Sequence, residues 1–145
     1  MGIIAIVTAI TIPTINSYLP YWKLNTSTRM VVQKLRQAQE EAVTTQIRHG
    51  VKFDTGATPP TLAFVKDGGA NPDETLETVT LSKGITLALA SAIINNTPAD
   101  EQNSIFFSPD GGPDVGGPDV NITVTLDGST KTVNVSPAGV IKVQQ

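Results

Sequence analysis

The sequence predicts an α+β fold: one long N-terminal helix, apolar in its first half and amphipathic in its second, packed against an antiparallel β-sheet head. Two features predict it. Residues 1–22 carry no charged side chain and run into a helix-periodic stretch with no glycine between Ile3 and Arg48. After Gly50 the texture changes to short runs rich in Val, Ile, Thr and Phe, separated by Gly, Pro, Asn and Asp.

The chain has 145 residues, about the size of one ordinary domain with a single core. The expected division is residues 1–23 as an apolar membrane or filament-core helix and 24–145 as a globular head. Within the head, 24–50 is an amphipathic helix and 51–145 is β-rich. There is no cysteine, which excludes disulfides, thiolate metal sites and cysteine nucleophiles.

The opening strip has three competing readings. A secretory signal peptide needs a basic start, and nothing basic precedes Lys23. A full membrane span needs about 20 apolar residues, and the run before Pro13 is shorter. A buried core helix fits that length but not the segment downstream of it. Leu24, Thr28, Val31, Leu35, Ala38, Ala42 and Thr45 recur at spacings of four and three, on one side of a helix that continues the strip. The pattern predicts one helix from Ile3 to His49, about 70 Å long at 1.5 Å per residue. Arg48 and His49 sit in its last turn, with His49 as a capping residue and Gly50 as a left-handed stop. Such a helix exceeds what a head of this size can bury. Pro13 is expected to kink or locally melt it, and Pro20 to start a new segment.

Eight runs then read as strands: VKFD, TLAFVK, TLETVTL, ITLALA, SIFFS, NITVTL, KTVNVS and VIKV. The clearest hairpin turns at Asp127 and Gly128, with Val120, Ile122, Val124 and Leu126 alternating before it and Val133 and Val135 after it. GGPDV occurs at 111–115 and again at 116–120, a loop lengthened by duplication and too short to be a solenoid.

Charge is divided along the chain. Residues 23–52 carry six basic side chains against two acidic, net +4, and residues 53–145 carry four against eleven, net −7. This polarity suits packing of the head of one subunit on the stalk of another.

Catalytic signatures are absent. His49 is the only histidine, and no H-E-x-x-H, G-x-S-x-G or phosphate-binding glycine loop occurs, so the chain is not expected to be an enzyme. No cofactor is expected. Asp110, Asp114 and Asp119, in a glycine-rich loop, form a weak calcium hypothesis, because a hard cation needs several converging oxygens. Their spacing does not follow the EF-hand pattern, and Pro-Asp-Gly is ordinary turn chemistry. The four N-x-S/T triplets are expected by chance in a Thr-rich chain.

AITIPTINSYLPYW followed by VVQKLRQAQEEAVTTQIRHGV resembles the type IV pilin and type II secretion pseudopilin class. LRQAQEEAVTTQ leading into a strand, then IFFSPDGG and a closing TVNVSPAGVIK, resemble its FimT/GspH group of minor pilins. The resemblance covers most of the chain; residues 55–103 match only in texture. It implies a structural subunit of a type II secretion pseudopilus or type IV pilus. Such a subunit waits in the bacterial inner membrane as a single-pass protein, with its head in the periplasm or outside the cell. It also implies other pilin or pseudopilin subunits as partners, a prepilin peptidase that cleaves a leader and methylates the new N-terminus, and an assembly machinery.

Ile3, Ile4, Ile6, Val7, Ile10, Ile12 and Pro13 would form the membrane or filament core, and Leu24, Val31, Leu35, Ala38 and Ala42 would hold the head to the helix. Pro13 matches the proline that kinks pilin helices, and counting back from it implies that the first portion of the apolar helix is missing. With no acidic residue before Glu40, neither the peptidase site nor the assembly glutamate of the class can be assigned. The alternative function is a DNA-binding minor pilin of a natural-transformation pilus. Lys131 and Lys142 are the only basic residues near the C-terminus, and nucleic-acid binding is not expected when residues 53–145 stand at −7.

Overall fold

The computed structural model describes residues 2–69, 71–90, 102–115 and 118–145, with side chains described from Leu19 onward. Helix α1 spans Gly2–Thr45, about 66 Å at 1.5 Å per residue, and the helical backbone is continuous through Pro13 and Pro20. Among the described residues eight strands come after it: β1 (His49–Asp54), β2 (Thr61–Lys66), β3 (Glu74–Thr80), β4 (Thr86–Leu89), β5 (Ser104–Phe107), β6 (Val120–Leu126), β7 (Ser129–Val135) and β8 (Ile141–Gln144). Each of the eight β-like runs in the sequence supplies one of them.

The strands form two four-stranded antiparallel sheets, in the orders β3-β2-β1-β5 and β4-β6-β7-β8. The 120–135 hairpin pairs Leu126 with Ser129 across Asp127 and Gly128. Both turn residues have positive φ, 49° and 81°, as a two-residue turn between right-twisted strands requires.

Helix α1 packs against β1, β2 and β5 of the first sheet and β6, β7 and β8 of the second. Alternation along each strand sends one set of side chains to this shared core. Val51, Phe53, Leu62, Phe64, Ile105 and Phe107 come from the first sheet, and Ile122, Val124, Val133, Val135 and Leu87 from the second. Phe106 is equally buried but lies outside that cluster, beneath the guanidinium of Arg48 at 5.1 Å.

Two expectations about the helix end are corrected. The helix stops at Thr45, four residues before His49, because Gln46 takes the left-handed conformation at φ 58° and reverses the chain. Its last turn carries no basic side chain, so neither Arg48 nor His49 caps it. Gly50 is no stop either. It sits inside β1, where an added Cβ would lie 2.8 Å from the Phe106 ring and the Ile105 carbonyl oxygen. Close approach of β1 to β5 is the reason a glycine is needed there.

Candidate functional site

The seam between helix and head is built on a stripe of α1. Leu24, Val31, Leu35, Ala38 and Ala42 are buried, the last four with no exposed surface. Spacings of three and four bring them onto one side, and the small Ala38 and Ala42 let the backbone approach the sheets. Two hydroxyls in this stripe are satisfied. Thr28 Oγ1 donates to the Leu24 carbonyl at 2.8 Å, and Ser27 Oγ accepts from the Ser82 amide at 3.4 Å.

At the flank of the stripe, Lys34 is 8% exposed overall and donates to Gln37 Oε1 at 2.9 Å and to Glu77 Oε2 on β3 at 2.6 Å. That pair ties the helix to an edge strand whose residues are mostly exposed.

The second tie is Gln39. Its amide nitrogen donates both hydrogens, to the Gly111 carbonyl at 2.7 Å and the Gly139 carbonyl at 2.9 Å. The two glycines belong to turns of the same design, Ser108-Pro109-Asp110-Gly111 and Ser136-Pro137-Ala138-Gly139. In each, the glycine amide donates to the serine carbonyl, at 2.8 and 2.9 Å. The serine amide in turn donates to the carbonyl of the residue after the glycine, Gly112 at 2.9 Å and Val140 at 3.0 Å. Both glycines are left-handed, φ 86° and 79°, the three-residue loop closed by a glycine bulge. One turn lies after β5 in the first sheet and the other after β7 in the second. A single helical side chain therefore joins both sheets to α1.

The third tie is Arg48. It reaches Asp67 Oδ2 at 2.8 Å and Asp114 Oδ2 at 2.7 Å while stacking over Phe106. Beside it Lys52 pairs with Asp73 at 2.7 Å. His49 is 3% exposed; its ring lies flat against Phe64 at 5.7 Å, with Nδ1 2.8 Å from the Ile47 carbonyl. This is a packed core imidazole facing the chain reversal.

The calcium candidates do not converge. Asp110 Oδ1 accepts from the Gly112 amide at 3.1 Å, Asp114 is paired with Arg48, and Asp119 Oδ2 accepts from Asn134 at 3.3 Å. Among the described residues no group of three or more His, Asp and Glu could hold a metal ion. Lys131 is 9% exposed, hydrogen-bonded to Asn25 Oδ1 at 3.3 Å and lying over the Tyr21 ring at 5.4 Å, whereas Lys142 is exposed on β8.

The opposite side of α1 faces outward. Arg29, Gln33, Arg36 and Glu40 are exposed at helical spacing and, with Val32 and Val143 of β8, line a shallow groove of about 550 Å³. Of the expected membrane or filament-core residues, Ile3 to Pro13, the structure gives the helical backbone only; their side chains lie outside the described residues. Among the described residues no helix is long and apolar enough to cross a membrane.

This architecture recurs in solved structures. The minor pseudopilin EpsH from the type 2 secretion system of Vibrio cholerae matches with a TM-score of 0.64 at 17% identity, over 84% of this chain and 96% of that one. The type IV minor pilin FimU of Pseudomonas aeruginosa matches with a TM-score of 0.67 at 12% identity, over 88% and 92%. At these identities the likeness shows a shared fold, a long helix on antiparallel sheets. No curated protein matches the chain. The family model of the type II transport protein GspH matches residues 27–139, which spans the amphipathic half of α1, both Ser-Pro-X-Gly turns and nearly all of the two sheets. The chain belongs to the GspH family, whose members are structural pilus or pseudopilus subunits and not enzymes.

Proposed function

We propose that this chain is a minor subunit of a type II secretion pseudopilus, anchored in the inner membrane before assembly and joining its filament through the first half of α1. In this reading residues 1–23 are the shared stalk and residues 24–145 are a head that faces outward. The family description, type II transport protein, supports this reading, and a type IV pilus subunit is the second reading, since a type IV minor pilin shares the fold equally well.

One observation carries the reading. The head covers α1 from Leu24 onward, whereas Leu19, Tyr21 and Trp22 are 45%, 60% and 63% exposed, at the end of a charge-free stretch that starts at Met1. Apolar surface continuous with that stretch has to be shielded by lipid or by neighbouring subunits.

The test is cell fractionation of Ile6→Asp and Ile10→Asp chains. A carboxylate in the stalk should abolish membrane retention and filament incorporation while the melting of the head is unchanged. Retention and assembly at the level of the unsubstituted chain would refute the proposal.

A further inference from the structure

Where α1 enters the head, its surface changes character within five residues. Leu19, Tyr21 and Trp22 present apolar and aromatic surface, and the half-buried Lys23 comes immediately after them. Leu19 and Lys23, one turn apart, open onto a groove of about 350 Å³ that is completed by Pro20, Lys83, Leu126 and Asp127. Its lining combines hydrocarbon from Leu19, Pro20 and Leu126 with the two lysines and one aspartate. Among the described residues Lys23 and Lys83, like Arg29, Arg36, Lys66 and Lys142, have no hydrogen-bond or ion-pair partner, so both ammonium groups at this groove are available.

Tyr21 is held from behind. Lys131 Nζ lies over its ring and is itself fixed by Asn25, so the ring presents its other face outward at low entropic cost. Aromatic rings flanked by lysines, immediately after an apolar helical segment, fit the headgroup layer of a bilayer: the rings sit at the level of the glycerol backbone and the ammonium groups meet phosphates. A protein partner would require Lys23 and Lys83 to find carboxylates; a lipid surface supplies anionic oxygens wherever they fall.

We propose that this end of the head, built from Leu19, Tyr21, Trp22, Lys23 and Lys83, seats on an anionic phospholipid surface while the subunit awaits assembly. The proposal rests on the membrane-anchor reading above and adds to it a contact made by the head itself. It gives the head a fixed tilt on the membrane, with the Gln39 seam and the paired Ser-Pro-X-Gly turns at the end facing away from lipid.

Trp22 is the only tryptophan, so the full chain carries its own reporter. The chain is reconstituted into phosphatidylcholine bilayers with and without phosphatidylglycerol, and its flotation with the vesicles is scored separately from its fluorescence. The expected result is Trp22 emission shielded from acrylamide and quenched by a lipid carrying a nitroxide at the headgroup, more strongly when phosphatidylglycerol is present. In the Lys23→Gln/Lys83→Gln double variant that extra quenching should be lost, with flotation and head melting unchanged. A chain that floats while Trp22 stays open to acrylamide overturns the proposal. So does quenching that is indifferent to lipid charge and to the two lysines. A chain that does not float overturns the anchor reading together with this one.

Discussion

The side-chain amide of Gln39 lies 2.9 Å from the carbonyl oxygen of Gly139, one hundred residues later in the chain, and its other hydrogen is spent on Gly111. A long helix and two sheets are thereby joined at one nitrogen. Replacing Gln39 with Leu leaves two inward-facing carbonyls without that donor, at about 1–3 kcal/mol by the usual cost of an unmet buried group. Chemical denaturation should show that loss, against a change within about 0.5 kcal/mol for Gln33→Ala on the exposed side of the same helix.

Gly139 and Gly128 separate two reasons for a glycine. Their φ values are nearly equal, 79° and 81°, but an added Cβ at Gly128 meets open space, whereas at Gly139 it would collide with the Gly111 carbonyl and the Gln39 amide. Gly128→Ala should cost about 1 kcal/mol, the ordinary strain of a left-handed alanine. Gly139→Ala should cost clearly more and should be largely non-additive with Gln39→Leu, because both break the same junction. A double-mutant cycle on thermal or urea unfolding measures this.

Leu35 has no exposed surface and belongs to the core shared by both sheets. Leu35→Ala is expected to destabilise the head by about 2–5 kcal/mol. Val43, 45% exposed on the same helix, should tolerate Ala with little change. Equal effects at the two positions would contradict the assignment of the buried stripe.

Arg48 joins the β2–β3 loop to the β5–β6 loop through Asp67 and Asp114. Its side chain is about a quarter exposed, so the pairs are partly screened and Arg48→Ala should cost about 1–2 kcal/mol, less at high salt. Arg48→Lys should restore only part, since one ammonium cannot reproduce the fork of a guanidinium over Phe106. Hydrogen exchange would localise the loosening to the two loops.

Much of the fold is written locally in the sequence. Strands such as Val120–Leu126 alternate so regularly, between such clear turn residues, that their existence and register need no tertiary information. Their division into two sheets is different. The pairings of β1 with β5 and of β4 with β6 bring distant segments together, and no local pattern encodes them.

The helix end is hard to place from sequence because Gly50 outweighs the quieter signal of Thr44, Thr45 and Ile47, β-branched residues that favour extended chain. The position of His49 is a consequence: three residues past the reversal at Gln46 it belongs to a strand and is buried, not a cap. Gln39 is invisible for another reason. In LRQAQEEA a glutamine reads as solvated surface, and only the folded chain shows that two Ser-Pro-X-Gly turns meet at its amide. The occurrence of that turn twice, in IFFSPDGG and in TVNVSPAGVIK, is the one clue the sequence holds.

The account depends on the first half of α1 being covered by something other than its own head. The chain has no cysteine, so a single Ile10→Cys substitution gives an unambiguous probe. Crosslinking with a short bis-maleimide, paired with single cysteines placed in the stalks of co-expressed filament subunits, is the most direct measurement. The account predicts intermolecular stalk-to-stalk products in sheared filaments. Sheared filaments that contain the chain but yield no stalk-to-stalk product would contradict it.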